Sequence, residues 1–267
     1  MLASTAPVQR PRTLAEALQM RADHPDATVL AGGTDVFVYM EAGVLAPGRV
    51  LDLWGCTGLR GISVDGGVLR IGAMTTYTDL VEHGLVPQVV KDAALTVGAV
   101  QIQNRGTVGG NICNGSPAGD TLPVWLVLDA EFELASVRRH RRVPACDYWL
   151  AYKKSQLQAD ELLIAVHLPD VQGAAHFRKV GTRMAQSISK VVFAARRADG
   201  EARIAFGAVG PVPLRVRPAE AGVAQGAPVD EVVALVRAGI TPIDDVRSTK
   251  DYRARVAGNV VRRWLAS

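Results

Sequence analysis

The stretch RGTVGGNICNGSPAGD, residues 105–120, combines several glycines with short polar side chains. A shorter glycine turn, AGGTD at residues 31–35, follows an apolar run at residues 28–30. A glycine turn after a strand exposes backbone N–H groups without Cβ atoms in the way, so a phosphate can approach the main chain closely. Two such turns can hold a pyrophosphate from opposite sides, an arrangement that suits a dinucleotide ligand.

The two turns differ in how specifically they indicate a ligand-binding site. AGGTD by itself is also compatible with an ordinary tight turn. The longer stretch is richer in donors and acceptors: hydroxyls and amides at Thr107, Asn111, Asn114 and Ser116, open backbone at Gly109, Gly110 and Gly115, and a sugar-hydroxyl acceptor at Asp120. Neither G-x-G-x-x-G nor G-x-x-x-x-G-K-[ST] occurs where a strand leads into a helix, which disfavours Rossmann and P-loop sites.

The composition is that of a folded globular protein. The chain has 267 residues, of which 48% are hydrophobic and 21% charged, enough for one or two domains. No run of about 18 apolar residues could span a bilayer. The N-terminal sequence MLASTAPVQRPRT lacks the apolar core of a secretory signal, so we predict a cytoplasmic protein without a membrane span.

Cysteine and histidine positions predict no metal site and no catalytic residue in this chain. The three cysteines are odd in number and far apart, which excludes a disulfide framework and offers no ligand spacing for zinc or iron–sulfur clusters. The histidines, at His24, His83, His140, His167 and His176, likewise show no metal-type spacing. No Ser-His-Asp arrangement can be argued from residue order alone.

The densest basic segment is VRRHRRV, residues 137–143, in a chain of net charge +4. Nucleic-acid binding usually needs a broader basic face with aromatic side chains, and aromatic residues make up only 5% of this chain. We therefore predict no nucleic-acid partner. The segment is typical of a solvated hairpin turn, and a rim that meets an acidic partner is the second interpretation.

Capping and turn signals predict the order of elements in the first part of the chain. Thr13 and Glu16 form a capping-box pattern before a helix at residues 14–22. The further predicted elements are strands at 28–30 and 49–53, a hairpin over 61–73 turning at 65–67, helices over 77–100 interrupted at Gly84 and Pro87, a helix-then-strand segment at 121–136, and a strand at 161–170.

A weak linker at residues 170–175 is the candidate domain boundary, dividing the chain into 1–170 and 171–267. Beyond it we predict a strand at 176–181 and a long hairpin at 190–210 turning at Asp199 and Gly200. Two helices follow, at 230–239 and 249–266, the second capped by Ser248 or Thr249. An antiparallel sheet with helices is a compact α+β unit.

Four motifs in order carry a resemblance over almost the whole chain. They are LAGGTDVFV (30–38), QIQNRGTVGGNICNGSPAGD (101–120), ELLIAVHLP (161–169) and FRKVGTRMAQSISKV (177–191). Together they resemble the FAD-binding medium subunit of molybdenum hydroxylases, the xanthine dehydrogenase and carbon monoxide dehydrogenase group. The resemblance implies an α+β fold: a PCMH-type FAD-binding domain of two α+β subdomains, then a C-terminal domain of the CO dehydrogenase flavoprotein type with a three-stranded antiparallel sheet and helices.

The resemblance also implies which residues contact FAD. In the first turn Gly32 and Gly33 would donate backbone N–H groups and Thr34 a hydroxyl, while Asp120 would accept hydrogen bonds from FAD hydroxyls and Lys179 would lie near the flavin. The remaining implied contacts are Leu30, Ala31, Asp35, Val36, Phe37, Val97, Thr107, Gly109, Gly110, Asn111, Ser116 and Leu163.

Val97 stands where some members of the family have an aromatic residue against the isoalloxazine, a departure from the family pattern. Tyr77 and Tyr152 are the alternative aromatic candidates, although both are more typical of packing residues.

The implied function is electron transfer. A large molybdopterin subunit would hydroxylate a substrate such as xanthine or another N-heterocycle. A small subunit with two [2Fe-2S] clusters would then pass electrons to FAD on this chain, and FAD would pass them to NAD+ or another acceptor. The resemblance implies that these subunits assemble as a dimer of heterotrimers. Two alternatives are a stand-alone FAD-dependent oxidase or reductase of the same superfamily, and a non-catalytic module that binds RNA or an acidic protein through RRHRR.

Overall fold

The structure is a computed structural model that describes residues 6–170, 172–198 and 200–267. Val171 of the predicted linker and Asp199 of the predicted hairpin turn lie outside the described residues. In the described ranges no helix is long and apolar enough to cross a membrane. The same ranges contain no group of three or more His, Cys, Asp or Glu side chains arranged to hold a metal ion.

A small parallel sheet with two helices forms the first part of the chain. Its elements are β1 (Val8–Gln9), α1 (Leu14–Asp23), β2 (Thr28–Leu30), α2 (Val36–Glu41) and β3 (Val50–Asp52). The strands lie in the order β1-β3-β2 and both pairs are parallel. Thr13 caps α1 as predicted, because its hydroxyl accepts a hydrogen bond from the backbone N–H of Glu16. Since parallel strands end at the same edge of a sheet, the turn after β2 lies beside the segment after β3.

A five-stranded antiparallel sheet, in the order β4-β5-β10-β6-β7, forms the second part. Its elements are β4 (Ile62–Asp65), β5 (Val68–Gly72), α3 (Tyr77–Glu82), α4 (Gln88–Ala94), α5 (Val100–Gln103), α6 (Val108–Asn114), α7 (Leu122–Val127), β6 (Glu131–Ala135), β7 (His140–Pro144), α8 (Ala145–Tyr148), β8 (Trp149–Ala151), β9 (Lys154–Ser155) and β10 (Leu162–Leu168). The predicted hairpin is confirmed: β4 and β5 join through Gly66 and Gly67, which both have positive φ.

The C-terminal part is an antiparallel sheet in the order β11-β12-β13-β14 with three helices. Its elements are β11 (Ala174–Val180), β12 (Val191–Ala198), β13 (Glu201–Gly207), β14 (Leu214–Arg215), α9 (Arg217–Ala224), α10 (Val229–Ala238) and α11 (Lys250–Leu265). The three long strands are those that the resemblance implies, and the two-residue β14 adds a short fourth strand at the edge. Thr249 caps α11 through the backbone N–H of Tyr252. Helix α9 was not predicted.

Helix α7 joins the two larger sheets into one packed structure. All of its residues are buried, and it packs against β12 and β13 of the C-terminal sheet. A helix that is apolar on every side is stable only where neighbours cover it all round. The apolar start of the predicted 121–136 segment therefore holds the C-terminal sheet against the middle of the chain.

The basic segment 137–143 lies in the hairpin between β6 and β7, as predicted. Its arginines are paired with carboxylates rather than left as a uniform positive surface. Arg141 makes two hydrogen bonds with the fully buried Glu161, at 2.8 and 2.7 Å, and Arg138 pairs with Asp160 at 2.7 Å. These pairs anchor the hairpin to the loop before β10.

Candidate functional site

The first glycine turn, residues 31–35, leads from β2 directly into α2. Gly33 has a φ of +83°, which favours glycine, and an added Cβ would lie 2.5 Å from the Phe37 ring. Its carbonyl oxygen accepts a hydrogen bond from Phe37 N–H at 3.0 Å. Among the hydrogen bonds of the described residues, none is donated by the backbone N–H of Gly32, Gly33 or Thr34. These donors are therefore available to an anionic ligand.

The second glycine turn opens α6 and is already bonded within the chain. The Thr107 hydroxyl accepts a hydrogen bond from Gly110 N–H at 3.1 Å. Gly109 N–H donates to the Ala73 carbonyl oxygen at 2.7 Å, and a Cβ on Gly109 would lie 2.7 Å from the Ala73 Cβ. This differs from the open backbone that the sequence suggested at Gly109 and Gly110. The glycines allow α6 to approach the end of β5 closely.

The polar side chains after the second turn make hydrogen bonds within the loop and still have hydrogen-bond donors left for a ligand. Asn111 Oδ1 accepts a hydrogen bond from Thr121 Oγ1 at 2.7 Å, and Ser116 Oγ accepts one from Ala118 N–H at 3.3 Å. Gly115 ends α6 with a φ of +56°. The Asn111 side-chain NH2 and the Ser116 hydroxyl hydrogen remain able to donate to a ligand.

The tertiary structure brings the two glycine turns into contact, although about seventy residues separate them in the chain. A Cβ on Gly32 would lie 1.8 Å from the carbonyl oxygen of Arg105. A Cβ on Gly110 would lie 3.8 Å from the Ala31 Cβ. The available N–H groups of the first turn therefore lie beside the backbone of the second, where a phosphate group could contact both.

Asp120 and Lys179 form a buried ion pair whose side chains are 9% and 7% exposed. Lys179 Nζ donates to Asp120 Oδ2 at 2.6 Å and to the Thr96 carbonyl oxygen at 2.8 Å. Ser189 Oγ donates to Asp120 Oδ1 at 2.6 Å. Burial raises the pKa of Asp120, and the positive charge of Lys179 opposes that rise. The network joins the C-terminal sheet to the loop that follows the second glycine turn.

The other predicted contacts lie in different surroundings. Val97 is half-buried and packs against the core of the five-stranded sheet. Leu163 is buried in β10, at the point where the register between β10 and β6 shifts. Tyr77 is buried under Gly106, and burial raises the pKa of its hydroxyl. Its ring lies beside Gly106 of the second glycine turn and its hydroxyl lies near Asp120 and Asp35, whereas Tyr152 is 65% exposed.

Sequence reasoning missed Ser189, Thr96, Tyr39 and Lys153. Ser189 and the Thr96 carbonyl complete the Asp120 network, whereas Tyr39 and Lys153 meet at Asn114, the last residue of α6. Ser189 lies within the fourth motif and Tyr39 just after the first, but no local pattern distinguishes them. Their roles depend on partners that are distant in the sequence.

Two family models match the chain. The FAD binding domain in molybdopterin dehydrogenase matches residues 3–171, and the CO dehydrogenase flavoprotein C-terminal domain matches residues 170–267. The xanthine dehydrogenase FAD-binding subunit of Escherichia coli O157:H7 is 34% identical over 279 residues, covering 98% of this chain and 95% of that protein. The carbon monoxide dehydrogenase medium chain of Hydrogenophaga pseudoflava is 29% identical over 269 residues, covering 96% and 94%.

The fold agrees with these relatives. A chain of the reconstituted CO dehydrogenase from Oligotropha carboxidovorans superimposes with a TM-score of 0.92 at 28% identity, covering 98% of this chain and 97% of that one. The glycine turns, the two-part domain match and the fold agree with one another. This chain belongs to the FAD-binding medium subunits of the molybdenum hydroxylases, the xanthine dehydrogenase and carbon monoxide dehydrogenase family, and contains their FAD-binding domain.

Proposed function

We propose that this chain passes electrons from iron–sulfur clusters on a partner subunit through FAD to NAD+ or another acceptor. The observation that carries the proposal is the contact between the two glycine turns, at Gly32 and Arg105. It brings the available backbone N–H groups of the first turn beside the backbone of the second, which fits a pyrophosphate held between the two turns. The relatives support the redox role, since they are subunits of dehydrogenases.

In this proposal the chain binds and orients FAD and supplies no acid, base or nucleophile. FAD, when bound, supplies the redox chemistry, because it can take up electrons one at a time and release a pair as hydride. The backbone N–H groups of Gly32, Gly33 and Thr34, together with the Thr34 hydroxyl, donate to the pyrophosphate. Asp120 accepts from FAD hydroxyls through lone pairs that Lys179 and Ser189 leave free.

The proposed site extends beyond these residues. Lys179 lies near the flavin, and further contacts come from Leu30, Ala31, Asp35, Val36, Phe37, Val97, Thr107, Gly109, Gly110, Asn111, Ser116 and Leu163. We also propose that the FAD-binding domain spans residues 1–170 and the C-terminal domain 171–267. The gap between Leu168, which ends β10, and Ala174, which begins β11, supports this boundary.

We propose that a large molybdopterin subunit and a small [2Fe-2S] subunit are the partners, assembled as a dimer of heterotrimers in the cytoplasm. The relatives support a heteromeric assembly, because one is a FAD-binding subunit and the other a medium chain. We propose xanthine or another N-heterocycle as the substrate of the large subunit. The identity of 34% to a xanthine dehydrogenase subunit, against 29% to a carbon monoxide dehydrogenase chain, favours this choice.

Two other functions are less well supported. This chain matches a xanthine dehydrogenase FAD-binding subunit and a carbon monoxide dehydrogenase medium chain along 94–95% of their length, which favours a subunit over a stand-alone FAD oxidase or reductase. A basic binding module would need unpaired positive charge at residues 137–143. Arg138, Arg141 and Arg142 instead pair with carboxylates.

Purification of the chain with and without added FAD tests the proposal. We expect a stoichiometric flavin absorption band, and its absence after reconstitution would exclude every flavoprotein interpretation. Co-purification with a cysteine-rich small subunit distinguishes a subunit from a stand-alone enzyme. Stopped-flow reoxidation of the reduced complex by NAD+, oxygen, ferredoxin or a quinone identifies the acceptor. If NAD+ were the one acceptor that reoxidised the complex slowly, NAD+ would be removed from the proposal.

A further inference from the structure

Lys153 lies in the turn of the short hairpin between β8 and β9, outside every motif of the resemblance. Its φ is +55°, a left-handed conformation that is uncommon for a residue with a side chain. The residue is exposed, and a glycine would relieve the backbone strain at such a position. A strained residue with a long charged side chain suggests that the side chain has a role of its own.

The Lys153 ammonium joins the helices that carry the two glycine turns. Nζ donates to the Asn114 carbonyl oxygen at 2.9 Å and to Asn114 Oδ1, at the end of α6. It also donates to Tyr39 Oη of α2 at 3.1 Å, and Tyr39 Oη in turn donates to Asn114 Oδ1 at 3.1 Å. One cation thus contacts the helix that follows each turn.

The charge of Lys153 is not neutralised by these contacts. Its described hydrogen-bond partners are a carbonyl, an amide oxygen and a phenol, all neutral. Its charge also reaches the first turn. Desolvation raises the pKa of Asp35, which directly precedes α2, and Lys153 opposes that rise. The Lys153 charge therefore acts at the start of α2, beside the turn with the available N–H groups, where Asp35 is the carboxyl group that it faces.

A second cation near the glycine turns, Arg105, is oriented differently. Arg105 belongs to the second stretch, but its guanidinium carbon lies 3.4 Å from the centre of the Trp54 ring. It stacks on that ring, at the edge where β3 ends, as a cation–π pair. The N–H and hydroxyl donors of the turns are neutral, while a pyrophosphate is an anion. Lys153 thus bridges α2 and α6, the helices that follow the two glycine turns.

We propose that Lys153 is a further FAD-binding residue, held by Tyr39 and Asn114 so that its positive charge stabilises the pyrophosphate between the two glycine turns. This inference rests on the proposed function. Tyr39 and Asn114 are positioning residues, because they act through the ammonium. Phosphate-free flavins should not benefit from Lys153, whereas FAD should, since the charge acts on the anionic part of the ligand.

The test measures the binding of FAD and of riboflavin, which has no phosphate, to the deflavinated chain by quenching of flavin fluorescence. We expect Lys153→Met to weaken FAD binding about tenfold at low ionic strength, and less at high ionic strength because salt screens the charge. Riboflavin binding should change less than about twofold. Lys153→Arg should restore most of the FAD affinity, and Lys154→Met, which removes the neighbouring exposed lysine, should leave both affinities unchanged.

The possible results distinguish an electrostatic role of Lys153 in FAD binding from a purely structural role. Unchanged FAD affinity in Lys153→Met would overturn the inference. Equal losses for FAD and riboflavin, accompanied by a lower Tm, would also overturn it, because Lys153 would then only hold the two helices together. Failure of the unsubstituted chain to bind FAD would instead overturn the proposed function itself.

Discussion

The carbonyl oxygen of Arg105 occupies the space where a side chain on Gly32 would begin, 1.8 Å from the position of an ideal Cβ. No side-chain rotation relieves such a contact, because the Cβ position is set by the backbone. Gly32 therefore fixes how closely the two glycine turns approach each other.

Gly32→Ala should separate the turns. The methyl group must displace the backbone at Arg105, so we expect loss of bound FAD and a lower free energy of unfolding, by about 1–3 kcal/mol for an overpacked site. Flavin-to-protein ratio and urea unfolding measure the two effects. Gly48→Ala is the matched control, since a Cβ there would have nothing within 4 Å. Full flavin content in Gly32→Ala would contradict the importance of this contact.

Gly33→Val and Gly110→Val should strip FAD while leaving a folded chain. A β-branched side chain at Gly33 adopts an unfavourable φ and meets the Phe37 ring, and at Gly110 it would lie against Thr107 Oγ1, 2.9 Å from the Cβ. In both variants it would intrude on the proposed pyrophosphate position. Circular dichroism should remain native-like while the flavin absorption band is lost. Stoichiometric flavin in both purified variants would rule out the proposed pyrophosphate position.

Lys179→Met should destabilise the chain strongly, because it leaves the Asp120 carboxylate buried without its cation. Breaking one side of a buried pair costs about 3–5 kcal/mol of unfolding free energy. The double variant Asp120→Asn/Lys179→Met should recover part of that loss, since neither charge then remains. Chemical denaturation of the single and double variants measures the coupling. Equal stabilities of Lys179→Met and the unsubstituted chain would show that the pair contributes nothing.

The pH dependence of Lys179→Met follows from the raised pKa of Asp120. A carboxyl group whose pKa is higher in the folded than in the unfolded state holds a proton that unfolding releases, so stability falls as pH rises through that interval. Removal of the Lys179 charge raises the pKa of Asp120 further and extends the interval upward from about pH 4. Unfolding free energies between about pH 5 and 8 should therefore decline more steeply in the variant. Parallel pH profiles would argue against this assignment.

Local patterns predicted the elements whose signals are contained in a few neighbouring residues. The Thr13 cap, the turn at Gly66 and Gly67, and the Thr249 cap are confirmed, because capping and turn geometry depend on adjacent backbone. Helices α2 and α9 were not predicted. The first has only six residues, none of them buried, and no side-chain cap at Asp35, and the second contains Pro218 and Gly222, so neither carries a strong local helix signal.

By itself, the sequence determined the family and the two glycine turns and predicted a boundary near residue 170, because these depend on residue types in order. The tertiary structure decided which atoms meet those residues. Only the fold places the Arg105 carbonyl against Gly32 and lets the Gly109 N–H donate a hydrogen bond to the Ala73 carbonyl oxygen. It also pairs Asp120 with Lys179 and brings Lys153 into hydrogen-bond distance of Asn114. A glycine in a sequence indicates that a Cβ is absent, but the partner that fills the space comes from a distant segment and depends on packing.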